Sequence, residues 1–321
     1  MEGPGKPGFT GFMGVPGATD LSSLEADVAF VGVPYGVPYR MGQAWSFEAP
    51  RYLREKSARF SRANGPHINY DFGIVPVDWR RLRVVDCGDV PGDPRDIPGT
   101  VARATEVIRT LLRRGILPIV LGGDDSIPIP VVRAYQDHGP LVVIQIDQHL
   151  DFKDQIQGVR EGLSSPMRRI SEMAWVDRIY QIGLSGYIQA DPPDVEEARA
   201  AGNVLISERE VHEEGIEAVL ARIPDGARYF ITLDVDGLDP SIMPACTHPE
   251  PGGLTFHEAV DLFRGLARKG RVVGMDLAEF TPAHDLSGLG AHTAGRLIIS
   301  LIDAMVLQGH LPQGGSGRSL A

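Results

Sequence analysis

Four aspartates and a histidine stand at two-residue steps where two apolar runs end: Asp147, His149 and Asp151 follow PLVVIQI, and Asp234 and Asp236 close YFITLDVD. A step of two places alternate side chains on one side of an extended backbone. Two further runs also end in acids. ILPIVLGG passes into Gly122-Gly123-Asp124-Asp125-Ser126, where paired glycines permit a tight turn, and RVVGMDLAEF closes on Asp276 and Glu279. Carboxylates in such number cannot be desolvated together unless cations neutralise them, because like charges at short range repel strongly or force protonation. Mixed carboxylate and imidazole donors suit Mn²⁺, Zn²⁺, Ni²⁺ or Co²⁺ rather than a thiolate-type site, and two such ions can activate a water as nucleophile. A single strand-end aspartate more often caps a helix or tightens a turn. That role for the whole set leaves the repulsion unexplained.

These residues need strands to carry them. Seven runs, DVAFVGVP from Asp27, LRVVDCG from Leu82, ILPIVLGG from Ile116, PLVVIQID from Pro140, RIYQIGLS from Arg178, YFITLDVD from Tyr229 and RVVGMDLAEF from Arg271, are nearly continuous in Val, Ile and Leu. Strands covered on both faces require that pattern. Amphipathic stretches alternate with them; in GTVARATEVIRTLLRRG, Val101, Ala104, Ile108, Leu111 and Leu112 share a helical face opposite the arginines. The rhythm predicts an α/β fold with a mainly parallel sheet, helices on both faces and a site beyond the carboxyl ends of the strands. Residues 26–310 read as one domain. The Gly- and Pro-rich start, residues 1–25, reads as an arm on the surface or on a neighbouring subunit, and 311–321 as a frayed tail.

The 321 residues are 43% hydrophobic, enough for a large core, and 42 acidic against 31 basic residues give a formal charge of −11. That field disfavours nucleic acid and anionic membranes, and a small neutral or cationic ligand fits it better. The cysteines are Cys87 and Cys246, and neither a leader-like start nor a long apolar run is evident. The expectation is a cytoplasmic protein without disulfide staples or a membrane span.

In GGDDS, DQHLD, DVDGLDPSIMPACTHPEPGGL and EFTPAHDLSGLGAHTAGRLI the chain resembles, over nearly its full length, the ureohydrolase family of arginases, agmatinases and guanidino-acid hydrolases. That family's signatures are Gly-Gly-Asp-His-Ser, Asp-Ala-His-x-Asp, and Asp-x-Asp-x-x-Asp-Pro with a downstream Gly-Gly-Leu. The resemblance implies a three-layer α/β/α arginase-like fold and assembly as trimers or hexamers. It also implies hydrolysis of a guanidino or amidino C–N bond by a hydroxide bridging two metals, usually Mn²⁺ and sometimes Ni²⁺. By motif match Asp147, His149, Asp151, Asp234 and Asp236 carry over as metal ligands, with Asp125 at a sixth ligand position. Glu279 carries over as the carboxylate that pairs with the substrate guanidinium.

The match breaks at two places. Asp125 stands where the family has a histidine ligand, so five carboxylates and one imidazole face two divalent ions and leave a charge of about −1. Extra negative charge raises the pKa of metal-bound water, and the shorter side chain must reach where an imidazole did. The expectation is therefore two divalent ions, Mn²⁺ or Ni²⁺, in a competent site, and one or none if Asp125 fails as a ligand. Leu163, in GLSSPMRR, falls where the family's Ser-His-Gly histidine shuttles a proton to the leaving amine; losing a positioned acid/base costs about 10²- to 10⁴-fold in rate. The stretch RMGQAWSFEAP also departs from the family's Arg-x-Gly-Ala-Arg.

His248, in PACTHPEPGG, replaces a usual threonine and is a candidate to supply an imidazole to the metal or the leaving group, against the plainer role of a surface or packing histidine. Cys246 beside it reads as a small pocket-lining residue. The catalytic candidates are Glu279, Asp151 and His248. Two functions follow. One is an auxiliary, weakly active or inactive subunit that assembles with an intact homologous ureohydrolase, similar to the degraded partner of heteromeric biguanide (metformin-type) hydrolases. The alternative is a self-sufficient Mn- or Ni-dependent amidinohydrolase acting on a small guanidino compound. A metal-free binding protein would leave the remaining ligand positions without a reason to coexist.

Overall fold

The near-continuous apolar runs become strands whose successive residues face two different cores. The computed structural model describes residues 11–39, 45–93, 95–186 and 190–313. Within them the strands are β1 (Val28–Val33), β2 (Pro66–Asn69), β3 (Val75–Asp78), β4 (Val84–Asp89), β5 (Leu117–Gly122), β6 (Leu141–Ile146), β7 (Val176–Leu184), β8 (Val204–Ser207), β9 (Arg228–Asp234) and β10 (Arg271–Ala278). The helices are α1 (Ala49–Ser57), α2 (Ile97–Arg113), α3 (Pro128–Arg133), α4 (Pro166–Ser171), α5 (Pro192–Ala200), α6 (Glu208–Glu214), α7 (Ile216–Arg222), α8 (Phe256–Lys269) and α9 (Leu289–Leu307).

Eight strands form one parallel sheet in the order β4-β1-β5-β10-β9-β6-β7-β8. Phe30, Ile119, Ile144 and Ile231 point into a core shared with α1, α6, α7, α8 and α9. Their neighbours Val31, Val120, Val143 and Phe230 point into a second core with α2, α3, α4 and α5. This alternation makes the three layers. The chain builds β1, β4 and β5, then β6 to β8 on the far side, and finally returns through β9 and β10 to fill the gap between β6 and β5. The four acid-tipped strands therefore become immediate neighbours.

All seven expected runs lie in this sheet. The eighth strand, β8, escaped the sequence reading because it is a four-residue edge strand in which only Ile206 is fully buried, so no apolar run marks it. The antiparallel pair β2–β3 escaped for the same reason. On α2, Ala104, Ile108 and Leu111 are buried as expected while Val101 and Leu112 are half-buried. By length and composition α9 is apolar enough to cross a bilayer, but 78% of that stretch is buried within the fold, packed on α8 and α1 as a core helix. Arg296 and Asp303 interrupt the run in the sequence and disguise it.

The described part of the N-terminal arm departs from the expected surface position. Phe12, Met13 and Val15 are buried in the same core as α1 and α9. The Phe12 ring packs on Phe30 with centroids 4.6 Å apart, and its N–H donates to Asp86 Oδ2 at 2.8 Å. Met13 N–H donates to Ser57 Oγ at 2.7 Å. Residues 1–10, and residues 314–321 of the tail, lie outside the described residues.

Candidate metal centre

The carboxyl ends of β5, β10, β9 and β6 lie side by side and carry Asp125, Glu279, the Asp234–Asp236 pair and the Asp147–Asp151 stretch into one place. Close backbone approach makes this possible. A Cβ on Gly237 would lie 2.5 Å from the Asp147 amide nitrogen, so only glycine lets the turn after β9 rest on the start of the β6 loop. Asp151 (φ 47°) and Glu279 (φ 60°) are both left-handed, a conformation that costs about 1–3 kcal/mol for a residue with a side chain and clusters at functional sites. Hydrogen bonds hold them there: Glu279 N–H donates to Gly123 O at 2.9 Å, and Asp151 O accepts from Met167 N–H at 3.1 Å.

Among the described residues, two candidate ligand groups result. Asp147, His149 and Asp236 form one and Asp125, Asp147 and Asp151 the other, with the donor atoms of each within 4.8 Å of one another; Asp147 belongs to both. His149 Nδ1 lies 3.3 Å from Asp147 Oδ1 and 3.3 Å from Asp236 Oδ2. Asp234 is buried beside both groups and accepts the Asp236 N–H at 3.0 Å, but is part of neither. Burial and the neighbouring carboxylates hold Asp125, Asp151 and Asp234 well above the usual carboxylate range. Burial disfavours a charged ring at His149, yet Asp147 and Asp236 outweigh it and push the imidazole up to about 12. Asp125 Oδ2 is buried with no hydrogen-bond partner among the described residues. An orphaned carboxylate oxygen inside an oxygen-rich, imidazole-bearing cluster fits a divalent cation as its missing partner. Two such ions, held by these residues, would supply charge neutralisation and Lewis acidity toward water.

Not every strand-end acid takes part. Asp124 turns back to accept the Ser126 N–H at 3.0 Å, the turn-tightening role of an isolated aspartate, while Asp125 faces the centre. Asp276 lies within β10, outside the cavity wall, where burial pushes its carboxyl up to about 8.

A cavity of about 500 Å³ opens over the cluster. Glu279 lines it, with Oε1 accepting the Asp125 N–H at 2.9 Å and Oε2 accepting the Trp45 indole N–H at 2.6 Å. Burial above all pushes Glu279 up to about 8. Leu163, expected from the sequence to stand where the family has its proton shuttle, lines the same cavity and presents hydrocarbon to it. His248 is also in the wall, its ring edge-on to Trp45 with centroids 6.2 Å apart, but it stands outside both ligand groups. Cys246 differs from expectation: it packs in the core instead of lining the cavity, and burial pushes its thiol up to about 12.

Sequence reasoning missed several residues of the cavity wall and one buried behind the cluster, Gln145. Trp45 belongs to the altered RMGQAW stretch, of which residues 40–44 lie outside the described residues, and nothing local ties it to Glu279. Tyr39 lines the cavity, and its hydroxyl accepts the Ser164 N–H at 2.9 Å. Lys153 Nζ donates to Asp191 Oδ2 at 2.6 Å and to Asp194 Oδ2 at 2.5 Å. Gln145 Nε2 donates to Asp147 Oδ2 at 2.7 Å, and here a signal existed, since a glutamine interrupts the apolar β6 run.

Comparison with known proteins agrees with this geometry. The chain is 33% identical to guanidinopropionase of Pseudomonas aeruginosa across 94% of its own length and 93% of that protein. It is 31% identical to mitochondrial agmatinase of Gallus gallus, covering 92% of this chain and 85% of the relative. A crystal structure described as a hypothetical agmatinase from Burkholderia thailandensis superposes with a TM-score of 0.79 at 25% identity, over 94% of this chain and 92% of the other. The sequence model of the Arginase family matches residues 26–303, from the first strand of the sheet into its last helix. With that extent of match and a ligand set converging where four neighbouring strands end, the chain belongs to the arginase family, the ureohydrolases of guanidino C–N bonds.

Proposed function

We propose that this chain is a ureohydrolase subunit with an altered metal centre, serving as a weakly active or inactive partner of an intact homologous subunit in a trimer or hexamer. The observation that carries this reading is Leu163 in the cavity wall, because hydrocarbon cannot hand a proton to a leaving amine. Asp125 adds to it by making the ligand set more anionic, which weakens activation of water. Mn²⁺ and Ni²⁺ both suit these donors. The proposed setting is the cytoplasm, where Cys87 and Cys246 stay free thiols.

The substrate of the assembly is a guanidine with a neutral or cationic remainder, biguanides included. Among the described residues, Lys153 is the only lysine or arginine in the cavity wall, and it is already bonded to Asp191 and Asp194. Asp194 and Glu250 add negative charge to the same wall, which repels a carboxylate tail.

Metal content and urea release, measured on the chain alone and after co-expression with an intact homologue, test the proposal. Fewer than two metals per chain, with turnover only in the co-expressed complex, is the expected result. Near two metals per chain with urea release by the chain alone would overturn it. That outcome would favour the second reading, a self-sufficient Mn- or Ni-dependent amidinohydrolase, for which His248 in the cavity wall speaks. His248→Ala would then abolish the turnover of the isolated chain.

A further inference from the structure

Polar side chains inside a parallel sheet are costly unless each group is bonded. Three buried amides nevertheless run in line across β7 and β6 to the metal cluster. Asn203 Nδ2 donates to Gln181 Oε1 at 2.8 Å, and Gln181 Nε2 donates to Gln145 Oε1 at 2.7 Å. Gln145 Nε2 donates to Asp147 Oδ2 at 2.7 Å and, more weakly, to Asp151 Oδ2 at 3.4 Å. Gln181 Nε2 also donates to Leu150 O at 2.6 Å, tying the line to the loop between His149 and Asp151. Gln145 and Gln181 are register partners on adjacent strands, 1% and 0% exposed.

The direction of the line is fixed. The oxygens of Gln145 and Gln181 are each capped by the nitrogen of the amide behind, so neither glutamine can flip without losing a bond at both ends, and the N–H end falls on carboxylate. Asp147 is the residue that the two ligand groups share, and its other oxygen, Oδ1, accepts the His149 N–H at 2.5 Å. Leucine at position 145 would fill similar space between Ile144 and Ile146 without desolvating an amide. What the amide adds is a donor aimed at the shared carboxylate.

We propose that Gln145, Gln181 and Asn203 are positioning residues that hold Asp147, and through it both ligand groups, in a metal-binding arrangement. The proposal rests on the reading of this cluster as a metal centre. It acts as groups behind metal ligands commonly do, by orienting the ligand and tuning its charge; their loss typically lowers metal affinity about 10- to 100-fold.

The test uses the full chain, alone and in complex with an intact homologue, and compares wild type with Gln145→Leu, Gln145→Glu and Gln181→Leu. Mn²⁺ binding is followed by electron paramagnetic resonance of free and bound ion, and thermal unfolding of the metal-free proteins serves as a folding control. Gln145→Leu is expected to weaken Mn²⁺ binding about 10- to 100-fold while the metal-free protein melts at or above the wild-type temperature. Gln145→Glu keeps the shape but not the amide donor and is expected to weaken binding as much. Gln181→Leu, one step removed, is expected to do so less, and it carries the test should the Gln145 variants fail to fold. Wild-type affinity in these variants would overturn the positioning role alone. A wild-type chain that binds no Mn²⁺ in either form would overturn the metal-centre reading and this role with it.

Discussion

At the scale of single residues, the centre differs from a simple acid cluster through Asp125 and Leu163. Asp125 belongs to one of the two clustered groups, with one oxygen unpartnered among the described residues, and an imidazole at this position would lower the negative charge facing any bound ions. Asp125→His is expected to raise metal content toward two per chain, read by elemental analysis. Adding Leu163→His to that variant is expected to raise urea release by the isolated chain about 10²- to 10⁴-fold over Asp125→His alone, measured in a guanidine hydrolysis assay. Unchanged turnover in the double variant would mean that the proposed absence of an acid/base at position 163 is not what limits this cavity. The clustering of these acids was legible because acids at two-residue steps after apolar runs have few structural explanations when several occur together. Trp45 was not, since the bond it makes joins residues 234 positions apart.

Secondary-structure elements place these residues through contacts that tolerate little change. Gly237→Ala would drive a methyl group into the backbone of Asp147 and is expected to destabilise the protein by about 1–3 kcal/mol in urea unfolding, with loss of bound metal. The N-terminal segment is a structural element rather than a loose arm. Phe12 is 1% exposed against Phe30, and Phe12→Ala is expected to cost about 3–5 kcal/mol in the same assay. A stability change within the range of ordinary surface substitutions would return this segment to the periphery. Its burial was illegible because Phe12 and Met13 sit among glycines and prolines without helical or strand period, and the groove that receives them is made by α1, β1 and β4.

For the whole molecule, the gathered acids set the pH response of the metal-free protein. Asp276 and Glu279 are raised by burial from 3.8 and 4.5 to about 8 in the fold, so the folded chain holds protons that the unfolded chain has released. Stability from these two groups is fully present below their unfolded values and is lost as pH rises through about 8. Urea unfolding of the metal-free protein is therefore expected to show stability falling from pH 5 to pH 8. Saturating Mn²⁺ should reverse the slope, because its ligands bind in their deprotonated forms and metal binding releases protons, including that of His149. A metal-free protein whose stability rises across the same interval would contradict this account.

Strand positions, the amphipathic face of α2 and the acids at strand ends are properties of consecutive residues, and the sequence by itself determined them. Local periodicity needs no knowledge of neighbours. The family resemblance in GGDDS and DQHLD belongs to the same level, as does the proposal that Asp125 and Leu163 are exchanges. Only the tertiary structure decided that β9 and β10 return between β6 and β5, which brings four acid-tipped ends together. It also decided that Asp124 turns away while its neighbour turns in, that Asp147 is shared by two ligand groups, and that Gln145 extends a line of amides to it. The return of β9 and β10, the meeting of Asp147 with Asp125 and Asp236, and the links from Gln145 back to Gln181 and Asn203 join segments far apart in the chain. Their geometry follows from how the layers pack, and no run of adjacent residues encodes it.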